Sequence, residues 1–246
     1  MDFLFDEYIT LFRFGIGLLF VLFLVYFLPK YIAYTLSTYR KDTKKSAFKV
    51  LNDVGAQGEY RIYKCLRKYE KQGARFLFNT YLPKGESGET TEIDVIMICY
   101  QGIFVFESKN YSGWIFGNEK YKTWTQTLPQ GKGRKAKKEK FLNPIMQNKL
   151  HIECLQEMLG DDLENVPIFS VVVFSNRCEL KKLELTSNET VVIKREKLPM
   201  LVKKYCKVKP FLTYEKIEEL YKTLYPLTQF SDEVKKKHIE DIQKHL

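Results

Sequence analysis

The most continuous apolar stretch of the chain lies near its N-terminus and covers residues 8–28, with a single charge at Arg13. A helix needs about 20 apolar residues to cross the hydrocarbon core of a bilayer. The stretch is apolar on every helical face, which disfavours an amphipathic core helix. Acidic residues precede it and no small-residue cleavage site follows it, which disfavours a signal peptide. The pattern therefore predicts one transmembrane helix.

After residue 47 the spacing of apolar residues changes several times between helical and strand-like. Apolar positions three and four residues apart predict helical structure over residues 48–69, and Gly55 and Gly58 within it predict either a break or a close packing contact. Apolar runs predict strands at residues 76–82, 91–99, 102–109, 168–174 and 190–194, with further short strands and turns over 110–124. Helices are predicted over residues 145–159, 214–225 and 231–244. This order of elements predicts an α/β domain with a central mixed β-sheet.

The charge of the chain indicates both its partners and its orientation. A formal net charge of +10 favours partners that carry phosphate, either nucleic acid or an anionic lipid surface. Basic residues follow the apolar helix closely, at Lys30 and repeatedly over residues 40–49, whereas only Arg13 lies near its other end. The positive-inside rule therefore predicts a single-pass protein of the cell membrane, with its N-terminus outside and its main domain in the cytoplasm.

Several familiar functional signatures do not occur in the sequence. The five cysteines are odd in number and include no CxxC pair, so neither a structural zinc site nor a disulfide framework is predicted. The sequence contains no Walker A loop, HExxH motif or GxSxG motif. These absences disfavour P-loop nucleotide hydrolysis, zinc proteolysis and serine esterase chemistry.

Residues 130–140 form a basic segment without apolar periodicity, which predicts a loop. Its charges could follow a nucleic-acid backbone, contact lipid headgroups or simply be solvated. The candidate nucleic-acid-binding residues are Lys132, Arg134, Lys135, Lys137 and Lys138. Three aromatic residues nearby, Trp114, Phe116 and Trp124, could stack on bases, although aromatic residues on short strands more often belong to the core.

Two consecutive predicted strands bring charged residues together at one end of a hairpin. If Tyr100 and Gln101 form a two-residue loop, Asp94 lies directly opposite Glu107, with the two Cβ atoms about 5 Å apart. Lys109 lies on the Glu107 face, because side chains repeat every second residue along a strand. Two carboxylates this close repel each other unless one is protonated or a cation bridges them.

This arrangement suits a magnesium site, because Mg²⁺ commonly takes one or two carboxylates together with waters and substrate phosphates. A nearby lysine can hold a phosphate or help to deprotonate the attacking water. These parts fit metal-assisted hydrolysis of a phosphodiester. A simpler interpretation stays open, in which Glu107 and Lys109 form an ordinary ion pair at a strand end and Asp94 is a surface acid.

An acid followed about a dozen residues later by Glu-x-Lys at the end of an apolar strand resembles the PD-(D/E)xK nuclease superfamily. The longer pattern resembles the NERD (nuclease-related) domain. The residues that carry this resemblance are segments 55–59 (GAQGE), 91–94 (TEID) and 102–113 (GIFVFESKNYSG), with Trp124, Asn143, Pro144, Gln147 and His151. The resemblance implies a restriction-endonuclease-like core, with a central mixed β-sheet flanked by helices.

The resemblance also implies a role for individual residues. Asp94 and Glu107 would ligate Mg²⁺ (or Mn²⁺), helped by the backbone carbonyl of Ser108, and Glu59 would complete the acidic cluster. Lys109 would orient or activate water and stabilise the charge of the transition state. Gln147 would position phosphate or water from a later helix. His151 lies one helical turn after Gln147 and could join the site, although a structural histidine is the simpler interpretation.

Together these observations predict a membrane-anchored, divalent-metal-dependent nuclease that acts on DNA or RNA in the cytoplasm. A role in defence against foreign nucleic acid would suit its position. The alternatives are a catalytically weak nucleic-acid-binding or scaffold protein with a nuclease-like fold, and a membrane-tethered module whose basic face engages lipid. Whether the chain forms a homo-oligomer stays open. The predicted division is an anchor at residues 1–30, a basic juxtamembrane segment at 31–51, a nuclease-related domain at 52–180, and a C-terminal strand and helical extension at 181–246 that packs on this domain.

Overall fold

The computed structural model describes residues 2–85, 88–131 and 133–230, with the backbone alone for residues 2–6. The chain divides into two compact units, Met1–Lys49 and Val50–Leu246. The helix predicted over residues 231–244, together with Lys132, lies outside the described residues.

The first unit is dominated by one long helix, α1 (Asp2–Thr35), followed by the short helix α2 (Thr38–Thr43). Residues Glu7–Thr35 of α1 have a mean hydropathy of 2.4 and are long and apolar enough to cross a membrane. The helix extends beyond the predicted end at residue 28 and contains Pro29. Proline has no N–H to donate and thus removes one backbone hydrogen bond, but α1 continues through it.

The remaining elements are five helices and nine strands among the described residues, and the first six strands follow one another along the chain. The helices are α3 (Ala47–Asn52), α4 (Val54–Leu66), α5 (Pro144–Leu159), α6 (Leu198–Tyr205) and α7 (Tyr214–Leu224), and short 3₁₀ helices flank some of them at Arg67–Gln72, Gly160–Leu163, Arg195–Lys197 and Tyr225–Thr228. The strands are β1 (Arg75–Pro83), β2 (Thr90–Cys99), β3 (Gly102–Lys109), β4 (Gly113–Asn118), β5 (Thr123–Leu128), β6 (Lys137–Leu142), β7 (Ile168–Phe174), β8 (Cys178–Glu184) and β9 (Thr190–Lys194).

The strands form two mixed sheets, which confirms the predicted mixed α/β class and adds a second sheet to the single one expected. The larger sheet has the order β1-β2-β3-β7-β9, and β3, β7 and β9 run parallel to one another. The smaller sheet has the order β6-β5-β4-β8, in which β4 pairs with β8 in parallel and with β5 antiparallel. Strand β4 follows β3 and strand β8 follows β7, so two connections of three residues each link the two sheets.

Helices cover both faces of the larger sheet. On one face, α5 and α7 pack their apolar residues, such as Leu155 and Ile217, against Ile96 and Val105 of the central strands. On the other face, α4 and α6 lie together, and Tyr63 of α4 makes edge-to-face contacts with Phe76 and Phe78. Such two-sided burial explains why the strand sequences are almost continuously apolar.

The structure differs from the sequence-based expectations in three local details. The helix predicted over residues 48–69 is interrupted at Asp53, because the Asp53 side chain accepts a hydrogen bond from the Ala56 N–H at 3.1 Å and caps α4. The predicted basic loop is shorter than expected, because residues 137–140 belong to edge strand β6 and pair with β5. Strand β8 and helix α6 were not predicted.

Helix α5 begins at a heavily hydrogen-bonded residue, Asn143. Its Oδ1 accepts a hydrogen bond from the Ile145 N–H at 3.0 Å, while its Nδ2 donates to the carbonyls of Glu119 and Tyr121, each at 2.8 Å. The Asn143 side chain is 1% exposed. This asparagine therefore fixes the start of α5 to the β4–β5 turn, and so determines which helical face reaches the larger sheet.

Candidate functional site

The candidate site lies at the edge of the larger sheet where β3, β7 and β9 end. Lys109 pairs with Phe174 and Phe174 pairs with Lys194, so the three parallel strands end at the same level. The β2–β3 hairpin has the predicted register, with Cys99 opposite Gly102. Continuing this register places Asp94 beside the end of β3, and its Oδ2 accepts a hydrogen bond from the Ser108 N–H at 2.6 Å.

Glu107 is the most extensively bonded acid of the site. It is 4% exposed, its Oε1 lies 2.6 Å from Lys109 Nζ, and its Oε2 lies 3.1 Å from His151 Nε2. Because an ionised carboxylate can only accept, the His151 Nε2 carries the proton and donates it. The Nδ1 of the same ring faces the Thr91 hydroxyl at 2.7 Å. His151 thus belongs to the site and also holds two strands and α5 together.

The two carboxylates respond oppositely to this environment. Burial raises the pKa of Asp94 well above its usual value, and the neighbouring charges of Glu107 and Glu59 raise it further. Burial also opposes ionisation of Glu107, but the charge of Lys109 and the hydrogen bond from His151 outweigh it, and its pKa falls to about 2. The pKa of Lys109 rises despite its burial, because Glu107 lies against it. The site therefore holds one strongly ionised acid beside one that resists ionisation.

Helix α4 brings Glu59 to the same carboxylates. Glu59 is 5% exposed, and its charge contributes to the raised pKa of both Asp94 and Tyr81. Gly58 makes the close approach possible, since a Cβ atom at this position would lie 2.3 Å from Ser108 Oγ. This glycine is thus a close packing contact of α4 with β3, which is the second of the two interpretations that its sequence context allowed.

The contact of Gly58 with β3 can be tested by substitution, with the second glycine of α4 as the control. Gly58→Ala should destabilise the protein by about 1–3 kcal/mol, since overpacked sites force side chains and backbone to shift. Gly55→Ala is the matched control, because its Cβ would only touch Asp53 Oδ1 at 3.4 Å. That change should be stabilising by about 0.5–1 kcal/mol, as expected for alanine in a helix. Chemical unfolding of the full-length chain in detergent, followed by tryptophan fluorescence, measures both. Equal stabilities would contradict a tight contact at Gly58.

Gln147 lies on α5 one turn before His151, on the same face of the helix. Its side chain is half-buried, and its Oε1 is buried without a hydrogen-bond partner among the described residues. The adjacent residue, Asn148, holds α5 against the larger sheet. Its Nδ2 donates to the Val105 carbonyl at 3.1 Å and to Ser170 Oγ at 2.8 Å. Buried polar atoms are nearly always bonded, so the Gln147 oxygen is available for a water or ligand at this edge.

An arginine cluster that the sequence pattern does not predict lies at the same edge. Arg177 follows β7 and Arg195 follows β9, and burial together with their positive charges lowers the pKa of Arg61 on α4. Arg177 Nη2 donates to the Asn110 carbonyl at 2.7 Å, directly after Lys109. In the part of the chain that the structure describes, none of the three arginines forms an ion pair with a carboxylate. These three arginines belong to no common sequence motif. They come together because β7 and β9 are parallel and end at the same edge of the sheet.

Tyr81 was also missed. It is the register partner of Glu92, and its buried hydroxyl bonds to the Glu92 side chain. Burial and the charges of Glu92, Glu59 and Asp94 raise its pKa. The sequence contains a usable signal, since Glu92 and Asp94 share a strand face and the antiparallel partner of Glu92 would lie next to both. Tyr81 is thus a hydrogen-bonding neighbour of the acidic cluster.

The predicted basic residues do not join the carboxylates. Arg134 and Lys135 are exposed between β5 and β6, whereas Lys137 and Lys138 are exposed on β6, the edge strand of the smaller sheet. They belong to the smaller sheet and to its β5–β6 connection, whereas Asp94 and Glu107 belong to the larger sheet.

The donor set fits a hard divalent cation. Asp94 and Glu107 provide two carboxylates, and burial together with the charge of Glu107 raises the pKa of Asp94. Mg²⁺ is commonly held by only one or two carboxylates together with waters. No group of three or more His, Cys, Asp or Glu side chains within residues 2–85, 88–131 and 133–230 is arranged as a complete metal cage. The arrangement therefore suits a loosely held Mg²⁺ or Mn²⁺ better than a structural metal.

Comparisons with known proteins match this part of the chain. The family model described as nuclease-related domain (NERD) matches residues 54–175, a range that contains Glu59, Asp94, Glu107, Lys109 and Gln147. An uncharacterized protein from Bacillus anthracis is 33% identical over 186 residues, which span 76% of this chain and 82% of that protein. No solved structure matches significantly. The family match confirms the predicted resemblance, and the chain belongs to the nuclease-related domain family.

Proposed function

We propose that this protein is a membrane-anchored, divalent-metal-dependent nuclease that hydrolyses phosphodiester bonds of DNA or RNA on the cytoplasmic side. The observation that carries the proposal is the pair Asp94 and Glu107 beside Lys109, at a sheet edge that also gathers arginines with no carboxylate partner among the described residues, within a nuclease-related domain. The carboxylate pair supplies ligands for a cation, and the lysine supplies a positive charge for a phosphate. Few reactions other than phosphodiester hydrolysis need both the cation ligands and the phosphate-binding charge at one sheet edge.

The acids would hold the cation. Asp94, Glu107 and the Ser108 carbonyl would ligate Mg²⁺ or Mn²⁺, and Glu59 would complete the cluster from α4. A bound divalent cation would polarise the phosphate and make water a better nucleophile at neutral pH. His151 would hold the Glu107 carboxylate in place through its hydrogen bond.

The neighbouring polar residues would bind and orient the substrate. Lys109 would steady the developing negative charge on the phosphate, since it is positioned by its 2.6 Å contact with Glu107. Gln147 would accept a hydrogen bond from the attacking water through its unpartnered Oε1. Arg61, Arg177 and Arg195 would hold adjacent phosphates of the chain, which arginine recognises well through its planar guanidinium group.

Helix α1 would tether this activity to the membrane. It is long and apolar enough to cross a bilayer, and the basic residues that follow it favour an N-terminus outside the cell. The basic segment at residues 40–49 would then contact anionic headgroups. Protease added to intact cells should leave the C-terminal domain uncut, and rapid cleavage of that domain would contradict this orientation.

A cleavage assay tests the proposed activity. Full-length protein in detergent is incubated with labelled single- and double-stranded DNA and RNA, in Mg²⁺, Mn²⁺ or EDTA. Cleavage that requires the metal is the expected result, and it would identify the substrate at the same time. Cleavage that continues in EDTA would contradict the metal-dependent reaction.

A second function is favoured by one feature of the site. Both oxygens of Glu107 are already engaged, by Lys109 and His151, and this arrangement would suit a catalytically weak nucleic-acid-binding or scaffold protein. Binding of oligonucleotides without cleavage in either metal would support this second function in place of the first.

A further inference from the structure

The smaller sheet exposes aromatic side chains that the core does not use. Along β4, Ile115 is fully buried, whereas Trp114 is 39% and Phe116 is 37% exposed. Side chains alternate between the two faces of a strand, so Trp114 and Phe116 lie side by side on the outer face. Trp124 is different, because it is 1% exposed and stacks on Phe174 in the core. Of the three aromatic residues considered for base stacking, two therefore face solvent.

Strand register surrounds these aromatics with lysines. On β6, Lys138 and Lys140 pair with Thr127 and Thr125, which themselves pair with Trp114 and Phe116. On the other side, β8 places Lys182 opposite Phe116, and Lys181 Nζ lies 5.7 Å from the centre of the Trp114 ring. We call this the aromatic–lysine face, defined by Trp114, Phe116, Lys138, Lys140, Lys181 and Lys182.

The charge of the face is not fully balanced. Two exposed acids lie on β8, where Glu179 pairs with Lys181 at 2.7 Å and Glu184 pairs with Lys182 at 3.0 Å. Among the described residues, no ion pair engages Lys138 or Lys140. Exposed ion pairs of this kind contribute little and exchange readily. All four lysines can therefore turn towards an anionic ligand.

We propose that the aromatic–lysine face binds single-stranded nucleic acid. Bases of a single strand can stack on exposed aromatic rings, while lysines on both sides neutralise its phosphates. A duplex fits the face less well, because its bases are already stacked and paired. An apolar protein partner fits less well too, because lysines border the two rings on both sides. The chemistry thus selects a flexible polyanion with accessible aromatic faces.

This inference rests on the proposed nuclease function and narrows its substrate to single strands. Trp114 lies five residues after Lys109, which limits their separation to about 18 Å of extended chain. Gly113 pairs with Cys178 at the start of both β4 and β8, so Trp114 lies at the end of the smaller sheet nearest to Lys109. A strand of several nucleotides that stacks on the face could therefore reach the carboxylates.

Binding in EDTA tests the face separately from cleavage. The full-length chain in detergent is titrated into a fluorescent 20-nucleotide single strand of DNA or RNA, and into the matched duplex. The double variant Trp114→Ala and Phe116→Ala should weaken single-strand binding about 10- to 100-fold, with a smaller effect on the duplex. Tyr121→Ala is the matched control, because Tyr121 is a 64% exposed aromatic residue in the β4–β5 turn, outside the face. The control should bind as tightly as the native chain.

A conservative variant adds a readout that a folding defect would not mimic. The sequence has two tryptophans, so single-strand binding should quench the exposed Trp114 and spare the buried Trp124. Trp114→Phe should keep most of the affinity and lose most of the quenching. Equal affinity of the double variant and the native chain would overturn the proposal. A double variant that binds anionic vesicles more weakly but binds single strands as before would also overturn the proposal, since the face would then contact lipid.

The outcomes also separate this inference from the proposed nuclease. Metal-dependent cleavage with unchanged single-strand affinity in the double variant would overturn the binding face and leave the nuclease standing. Single-strand binding that depends on the face, in a protein that cleaves nothing, would leave the face standing and overturn the nuclease.

Discussion

Glu107→Gln is expected to slow cleavage of DNA or RNA by about 100- to 1,000-fold at saturating Mg²⁺, with the fold retained. Glutamine has nearly the same shape and can still accept a hydrogen bond from His151. It removes the negative charge that would bind the cation and that lies 2.6 Å from Lys109 Nζ. The loss should therefore appear in the rate of the chemical step, measured by single-turnover cleavage of an end-labelled strand.

The matched control for this prediction is Glu219→Gln on α7. Glu219 forms an ion pair with Lys216 at 3.1 Å, but its side chain is 57% exposed, whereas Glu107 is buried. The control should cleave at the native rate. A Glu107→Gln protein that keeps more than a tenth of native activity would exclude Glu107 as a metal ligand.

The acidic part of the site could be predicted because it depends on local geometry. A two-residue turn fixes which residues lie opposite each other along the hairpin. Once Cys99 pairs with Gly102, the same register places Asp94 opposite Glu107. The partners of these acids depend on longer connections. His151 reaches Glu107 only because Asn143 and Asn148 fix the rotation of α5 against the sheets.

The arginine cluster and the smaller sheet could not be predicted in the same way. Arg61, Arg177 and Arg195 lie on three separate elements, and only the parallel order of β7 and β9 brings their ends together. Strands β6 and β8 are rich in lysine, so they lack the regular alternation of apolar and polar residues that predicts a strand. Each acquires strand structure through pairing with a distant partner, and tertiary context commonly overrides local propensity in this way.

Lys109→Met should separate metal binding from catalysis. Loss of the ammonium group should lower the cleavage rate at least about 100-fold, since one charge donor to the transition state is removed. It should not weaken binding of the cation, because Lys109 competes with the cation for Glu107 Oε1. Isothermal titration with Mn²⁺ should therefore show equal or tighter binding in the variant. Weaker binding would contradict the proposed competition.

The same variant should make stability depend on the metal. In EDTA, Lys109→Met leaves the buried Glu107 charge with one partner fewer, and breaking a buried pair costs about 3–5 kcal/mol. Mg²⁺ would replace the missing positive charge, so it should raise the unfolding temperature of the variant more than that of the native chain. Lys216→Met is the control, because its ion pair with Asp162 is more exposed and should be worth less than about 1 kcal/mol. If Mg²⁺ raised the unfolding temperature of all three proteins equally, the cation would not be bound at Glu107, because only that position lacks its counter-charge in the variant.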